Sequence, residues 1–171
     1  MEKFGIDLTI IDGAISRLSS ASTAIRKAMI LSTGAAYSSN IQTLVQKTKF
    51  VVEMIGLPKL EDCTRDALCD IESGVWGVDS DDNIIDFGLT SALAISSLKV
   101  DITKGMRIIY TVGALTDKLL KLVSDSKNIR NVTLVVKDFT KIFVSETAYR
   151  VFCNRGGKIM VLQKSKLIAV C

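Results

Sequence analysis

The chain has 171 residues, 48% of them apolar and 23% charged, with a net charge of +4; it can bury one real core, or two small units sharing a sheet, and its composition is that of an ordinary globular protein. The basic residues are scattered in pairs such as Arg26-Lys27 and Lys164 with Lys166, and the aromatic residues are one tryptophan, three tyrosines and six phenylalanines, so no nucleic-acid partner is expected. Histidine is absent, which excludes Ser-His-Asp and Cys-His catalysis and any zinc site that uses histidine.

Four cysteines (Cys63, Cys69, Cys153, Cys171), spaced by 6, 84 and 18 residues, match neither a zinc pattern nor a disulfide framework. The start of the chain does not read as a signal peptide, and no apolar run approaches the ~18 to 20 residues of a membrane span. The expectation is a cytoplasmic protein with reduced thiols and no membrane partner.

Ile6 to Ile11 predicts a first strand, ended by Asp12-Gly13-Ala14. A buried parallel strand reads as a continuous apolar run, and open α/β sheets bind ligands at the carboxyl ends of their strands, where Asp12 would sit. Ser16 to Thr23 is rich in hydroxyls and, with Arg17, suits a loop that contacts an anion; a plain polar loop is the alternative. Lys27 to Leu31 predicts a second strand, followed by Ser32-Thr33-Gly34-Ala35.

Ser38-Ser39-Asn40 can cap a helix carrying Ile41, Leu44, Val45 and Thr48. Phe50 to Ile55 predicts a third strand, bounded by Gly56-Leu57-Pro58, the only proline. Residues 59 to 73 predict a short amphipathic helix on Leu60, Ala67, Leu68 and Ile71. Val75 to Phe87 reads as a hairpin with its turn in Asp79 to Asn83. Asp79, Asp81 and Asn83 alternate as calcium ligands do, but Ile84 and Thr90 occupy the positions where an EF-hand loop has glycine and glutamate, so the turn is the reading taken.

Leu89 to Leu98 predicts a small-residue helix. Met106 to Val112 predicts a strand, and Gly113-Ala114 makes it the third apolar run to end in this dipeptide. Thr116 then caps a helix with Leu119, Leu120, Leu122 and Val123 on its apolar side. Val132 to Val136 is a strand closed by Lys137-Asp138, and Phe139 to Val144 is a further apolar stretch. Ser145 with Glu146 opens a helix through Phe152, stopped by Asn154 to Gly157. Lys158 to Leu162 and Leu167 to Val170 are the final strands.

This alternation predicts an α/β fold, a Rossmann-like, mostly parallel sheet flanked by helices. A β-hairpin near 75–87 lies between two α/β units, with residues 1–60 in the first and 61–171 in the second. Glycine at a strand end lets a ligand, or a packed helix, approach the backbone closely, so Gly13, Gly34 and Gly113 are candidate ligand-facing positions. No nucleotide fingerprint is complete: G-x-G-x-x-G is missing, and Gly156-Gly157-Lys158 precedes a strand and not a helix. What the chain does have is a Walker-B-like strand ending in Asp12.

The segments IIDGAISRLSSAS, AMILSTGAA, KFVVEMIGLP, YTVGALTDKLL, VKDFTKIFVSETAYRVFCNRGGKIMVL and KLIAV together resemble P-loop proteins encoded beside cobalamin-dependent lysine and ornithine aminomutases, described as possible reactivation factors for those enzymes. The most specific pieces are D-G-A-x-x-R-x-S, [LA]-[SA]-T-G-A and D-x-T-K-I-F. By this resemblance Asp12 is the magnesium-side aspartate, with Mg-ATP or Mg-GTP as the implied cofactor. Gly13, Arg17 and Ser19 correspond to the loop after it, and Thr33-Gly34-Ala35 to the next strand end. The family carries its phosphate loop upstream of the strand matching Ile6 to Asp12, so the chain corresponds to a carboxy-terminal portion. It departs from the family at Leu18 (usually lysine), Thr23 (usually proline), Ser39-Asn40 (usually Arg-Asp) and Phe139 (usually proline).

The resemblance implies an accessory nucleotide-dependent module that assists an aminomutase without hydrolysing nucleotide on its own. Its partners would be a P-loop-bearing segment or subunit and the enzyme itself. A nonenzymatic small-ligand or subunit-interaction scaffold, able to form a homo-oligomer, is the alternative, and a Rossmann-like transferase is a third reading by fold analogy alone.

Overall fold

The computed structural model describes residues 28–90 and 101–171. The predicted strand at 6–11, the hydroxyl-rich loop at 16–23 and nearly all of the predicted helix at 89–98 lie outside the described residues; Leu89 itself ends a strand.

The chain is mixed α/β. Five strands, β2 (Val75–Asp79), β3 (Ile84–Leu89), β4 (Met106–Thr111), β6 (Thr133–Val136) and β8 (Lys158–Val161), form one sheet in the order β3-β2-β4-β6-β8. The pairings of β2 with β3 and with β4 are antiparallel, whereas β4 with β6 and β6 with β8 are parallel. The sheet is therefore mixed, and the predicted hairpin is one edge of it. Two short parallel ladders accompany it: β1 (Ala28–Leu31) with β9 (Lys166–Val170), and β5 (Leu115–Thr116) with β7 (Ile142–Phe143).

Side chains alternate across the sheet as a period of two requires. Ile109, Leu134 and Val136 point to the larger core. There they meet helix α1 (Ile41–Ile55) through Met54 and Ile55, α3 (Asp117–Ser124) through Leu119, Leu120 and Val123, and α4 (Glu146–Asn154) through Tyr149 and Phe152. Ile108, Tyr110 and Val135 point to a smaller core on the other face, completed by Leu60 and by Leu68 of α2 (Arg65–Cys69).

Three expectations are corrected. Phe50 to Ile55 is not a strand but the second half of α1. Nothing between Ile41 and Ile55 breaks a helix, and Leu44, Thr48, Val52 and Ile55 recur at helical spacing, so the β-branched run is carried into the helix that Asn40 starts. Phe50 then meets the Tyr149 ring edge-on at 5.7 Å, joining α1 to α4. The helix ends where the Gly56 N–H donates to Val52 O at 2.9 Å, ahead of Pro58. The predicted helix over 59–73 shrinks to α2, because its start is held like a strand: Lys59 bridges Val161, and the Leu60 N–H donates to Val161 O at 2.8 Å. Leu89 belongs to β3 and opens no helix.

Asn40 caps α1 as expected, its Oδ1 accepting from the Thr43 N–H at 3.0 Å. Asn40→Ala should lower unfolding free energy by about 1 kcal/mol, whereas Asn40→Asp, which keeps the acceptor, should be nearly neutral; urea titration separates the two. Helix α4 stops in a Schellman arrangement: the Gly156 N–H reaches Cys153 O at 2.9 Å and the Gly157 N–H reaches Phe152 O at 3.0 Å. Gly156 has φ of 94°.

Candidate functional site

The carboxyl ends of the adjacent parallel strands β4 and β6 gather the most unusual polar chemistry of the described residues. Thr111 pairs with Val136 at the last rung. The chain leaves β4 through Val112-Gly113-Ala114 and immediately forms the second ladder, Leu115 opposite Ile142 and Thr116 opposite Phe143. That ladder holds the loop after β4 beside the loop after β6. Asp117 adds to the tie, its Oδ1 accepting from the Ser145 N–H at 2.7 Å.

Two hydroxyls here are buried without a hydrogen-bond partner among the described residues, Thr111 (1% exposed) and Thr116. Thr116 occupies the N-cap position of α3 with extended backbone, yet its side chain makes no capping bond. Tyr110, pointing to the opposite face, has an equally orphaned phenol. Each such group costs about 1–3 kcal/mol unless something satisfies it. Burial above all, with the nearby Cys69 and Asp138, pushes the Tyr110 phenol up to about 12, so it stays a neutral donor at physiological pH.

Asp138, 2% exposed, lies two residues beyond the end of β6. Its Oδ1 accepts from the Thr140 N–H at 2.9 Å and from the Thr140 hydroxyl. This local turn explains why an acidic residue tolerates burial here. The combined arrangement offers neutral donors at a strand end and the N-terminal turn of α3, which is the chemistry that receives an anion.

Of the residues singled out from sequence, Asp12, Gly13, Arg17 and Ser19 lie outside the described residues. Thr33 and Gly34 follow β1, and the Thr33 N–H donates to Cys171 O at 2.8 Å while its hydroxyl lies 3.3 Å from that of Thr48. Gly113 follows β4, so it and Thr33-Gly34 terminate different sheets. Among the described residues nothing lies within 4 Å of a Cβ built on Gly34 or on Gly113, so no described helix requires glycine at either position. Sequence reasoning passed over Thr111 and took Thr116 only as a cap. The available signal was a hydroxyl closing the strand after Ile108-Ile109-Tyr110, directly before Val112-Gly113-Ala114.

A second polar cluster lies at the hairpin turn. Arg107 grips Asp62 with both guanidinium nitrogens, at 2.6 and 3.1 Å, and also pairs with Asp82, while its Nε donates to Asp79 O at 3.1 Å. The arginine holds the Asp62 carboxyl well below the usual carboxylate range. Asp79 Oδ1 accepts from the N–H groups of Asp81 and Asn83, each at 2.9 Å, and the Asn83 side chain is the chief reason its carboxyl is lowered. The neighbouring Cys63 thiol donates to Asp82 at 3.2 Å and is pushed up, first by that bond, the wrong direction for a nucleophile. This cluster clasps the hairpin to the loop before α2.

All four cysteines are free thiols. Among the described residues no group of three His, Cys, Asp or Glu side chains could hold a metal ion, and no helix is long and apolar enough to cross a membrane. Comparison of the chain with family models, curated proteins and solved structures gives no match.

Proposed function

We propose that the chain is an accessory module that binds a phosphate-bearing ligand at the carboxyl end of β4 and uses that binding to bias a partner protein between conformations. The observation that carries this reading is the pair of buried hydroxyls of Thr111 and Thr116, without partners among the described residues, flanking Gly113, which no described residue crowds. A strand, a glycine-bearing loop and a helix N-terminus in succession suit a phosphate. The family resemblance adds the finer content: Mg-ATP or Mg-GTP as ligand, Asp12 as the magnesium-side carboxylate, and a cobalamin-dependent aminomutase as partner. A ligand acts on such a partner only through different affinities for its two states.

The test is the melting temperature of the chain with millimolar Mg-ATP, Mg-GTP or inorganic phosphate. A ligand present at about 100 times its Kd adds roughly 2.7 kcal/mol to apparent stability. The expected result is a shift with nucleotide that Thr111→Val removes while leaving the unliganded melt unchanged or raised, since the hydroxyl has no partner to lose. Loss of the shift in Asp12→Ala would assign magnesium to that carboxylate. An unaltered melt with all three ligands overturns the reading.

A second reading, a subunit-interaction scaffold, is favoured by the β1–β9 ribbon. Ile30 and Ile168, each 62% exposed, and Val170 are exposed apolar residues along it. Light scattering that gives an oligomer dispersed by Ile168→Lys would favour it.

A further inference from the structure

Beyond β8 the chain runs through Gln163-Lys164-Ser165 into β9, and this connection forms one wall of an open cleft of about 530 Å³. The last turn of α1 forms another wall through Val52, Ile55 and Gly56, and Leu167 of β9 lines it as well. The size is that of a small-molecule site, roughly 300–1,000 Å³.

The lining specifies the chemistry. Ser165 is 7% exposed, and its hydroxyl is buried without a hydrogen-bond partner among the described residues. Lys164 and Lys166 flank it, both exposed, and neither has a hydrogen-bond or ion-pair partner among the described residues. The acidic residue of the adjoining helix turn, Glu53, is occupied by Arg150 at 2.7 Å. The carbonyl end of α1 carries roughly half a negative charge; Gly56 and Leu57 N–H groups already cover Val52 O and Met54 O. Two ammonium groups exceed that charge, so the cleft is net cationic at its polar end. Its remaining walls, Val52, Ile55 and Leu167, are aliphatic, and no aromatic ring among the described lining residues offers a base something to stack on. A compact inorganic anion would leave those walls in water.

We propose that this cleft binds a small aliphatic carboxylate, with the head group at Lys164, Ser165 and Lys166 and the hydrocarbon chain along Val52, Ile55 and Leu167. The hydroxyl of Ser165 donates to the carboxylate, and the two lysines supply charge-assisted bonds at the mouth. The site lies beyond the end of β8 and is independent of the phosphate-bearing ligand assigned to β4.

Calorimetric titration of the full chain with octanoate, 1-octanol and inorganic phosphate tests this. Octanoate should bind, and both the neutral alcohol and the phosphate should bind at least about tenfold more weakly, since each lacks one half of the match. Lys164→Ala with Lys166→Ala should weaken octanoate by about tenfold. Ser165→Ala should weaken it severalfold without lowering the melting temperature, because the hydroxyl has no partner in the folded chain. Val52→Asp should abolish binding, while Ile85→Ser, on the hairpin and exposed, should leave it unchanged. Octanoate affinity indifferent to the two lysines, or lost equally in Ile85→Ser, would overturn the proposal, as would phosphate binding as tightly as octanoate.

Discussion

Gly157→Ala should destabilise the protein by about 3 kcal/mol, at the upper end of the usual cost of overpacking. A Cβ at this position would lie 2.4 to 2.5 Å from three atoms of the Phe152 ring. That ring is fully buried and belongs to the core shared with α3, so it has no space to retreat into. The backbone is equally constrained, because the Gly157 N–H closes α4 on Phe152 O. For a chain of this length the loss amounts to roughly 6–12 °C in melting temperature. Gly156 provides the control. Its φ of 94° makes alanine cost about 1–2 kcal/mol in backbone strain, but the nearest side-chain atom, Cγ of Arg130 at 2.9 Å, belongs to an exposed and adjustable residue. Gly157→Ala should therefore be the worse of the two, and Phe152→Leu should recover part of its loss in the double variant. Equal losses at the two glycines, or strict additivity with Phe152→Leu, would show that the ring contact is not the cause.

The same dipeptide illustrates what the sequence made legible. Asn154 to Gly157 could be read as a helix stop because glycine chemistry is local, and for the same reason Asn40, Ser145, the Asp79–Asn83 turn and the strands around Ile109, Val135 and Ile159 were readable. Phe50 to Ile55 was misread because a short apolar, β-branched run has the same composition in a buried strand as on the inner side of a helix. What distinguishes the two is continuity with the helix that Asn40 starts, and the Phe50 ring then packs on Tyr149, about a hundred residues later. The sheet order was beyond local reasoning as well: no feature of Val75 to Asp79 says that it pairs antiparallel with β4 as well as β3, and β1 finds its partner in β9 at the far end of the described chain. At the candidate site, Gly34 and Gly113 were visible as strand ends, but the orphaned hydroxyl of Thr111 was not, since a threonine in a strand is ordinary until its surroundings are known.

Arg107→Ala should cost about 2–3 kcal/mol at neutral pH, and the loss should depend on pH in a definite direction. Arg107 and Asp62 are partly buried and share two charge-assisted bonds, while Asp82 and the Asp79 carbonyl take two further donors. Removing the arginine leaves two carboxylates beside each other at the end of the hairpin without a counter-charge. Asp62 is lowered in the folded protein, mainly by its bond to Arg107 and against the opposing effect of burial. A group lowered on folding stabilises the native state above its unfolded pKa, about 3.9 for aspartate, and that contribution is lost as pH falls through the folded value. The wild-type chain should therefore exceed Arg107→Ala in stability throughout the neutral range, and the gap should narrow progressively below about pH 4. Arg107→Lys should recover less than half of the loss, because an ammonium group keeps the charge but not the two-pronged grip on Asp62. Urea titrations of the three proteins at pH 7 and pH 3 measure this directly. A gap that stays constant with pH would mean the arginine acts through its aliphatic packing alone, and the clasp between the hairpin and the loop before α2 would then owe nothing to Asp62.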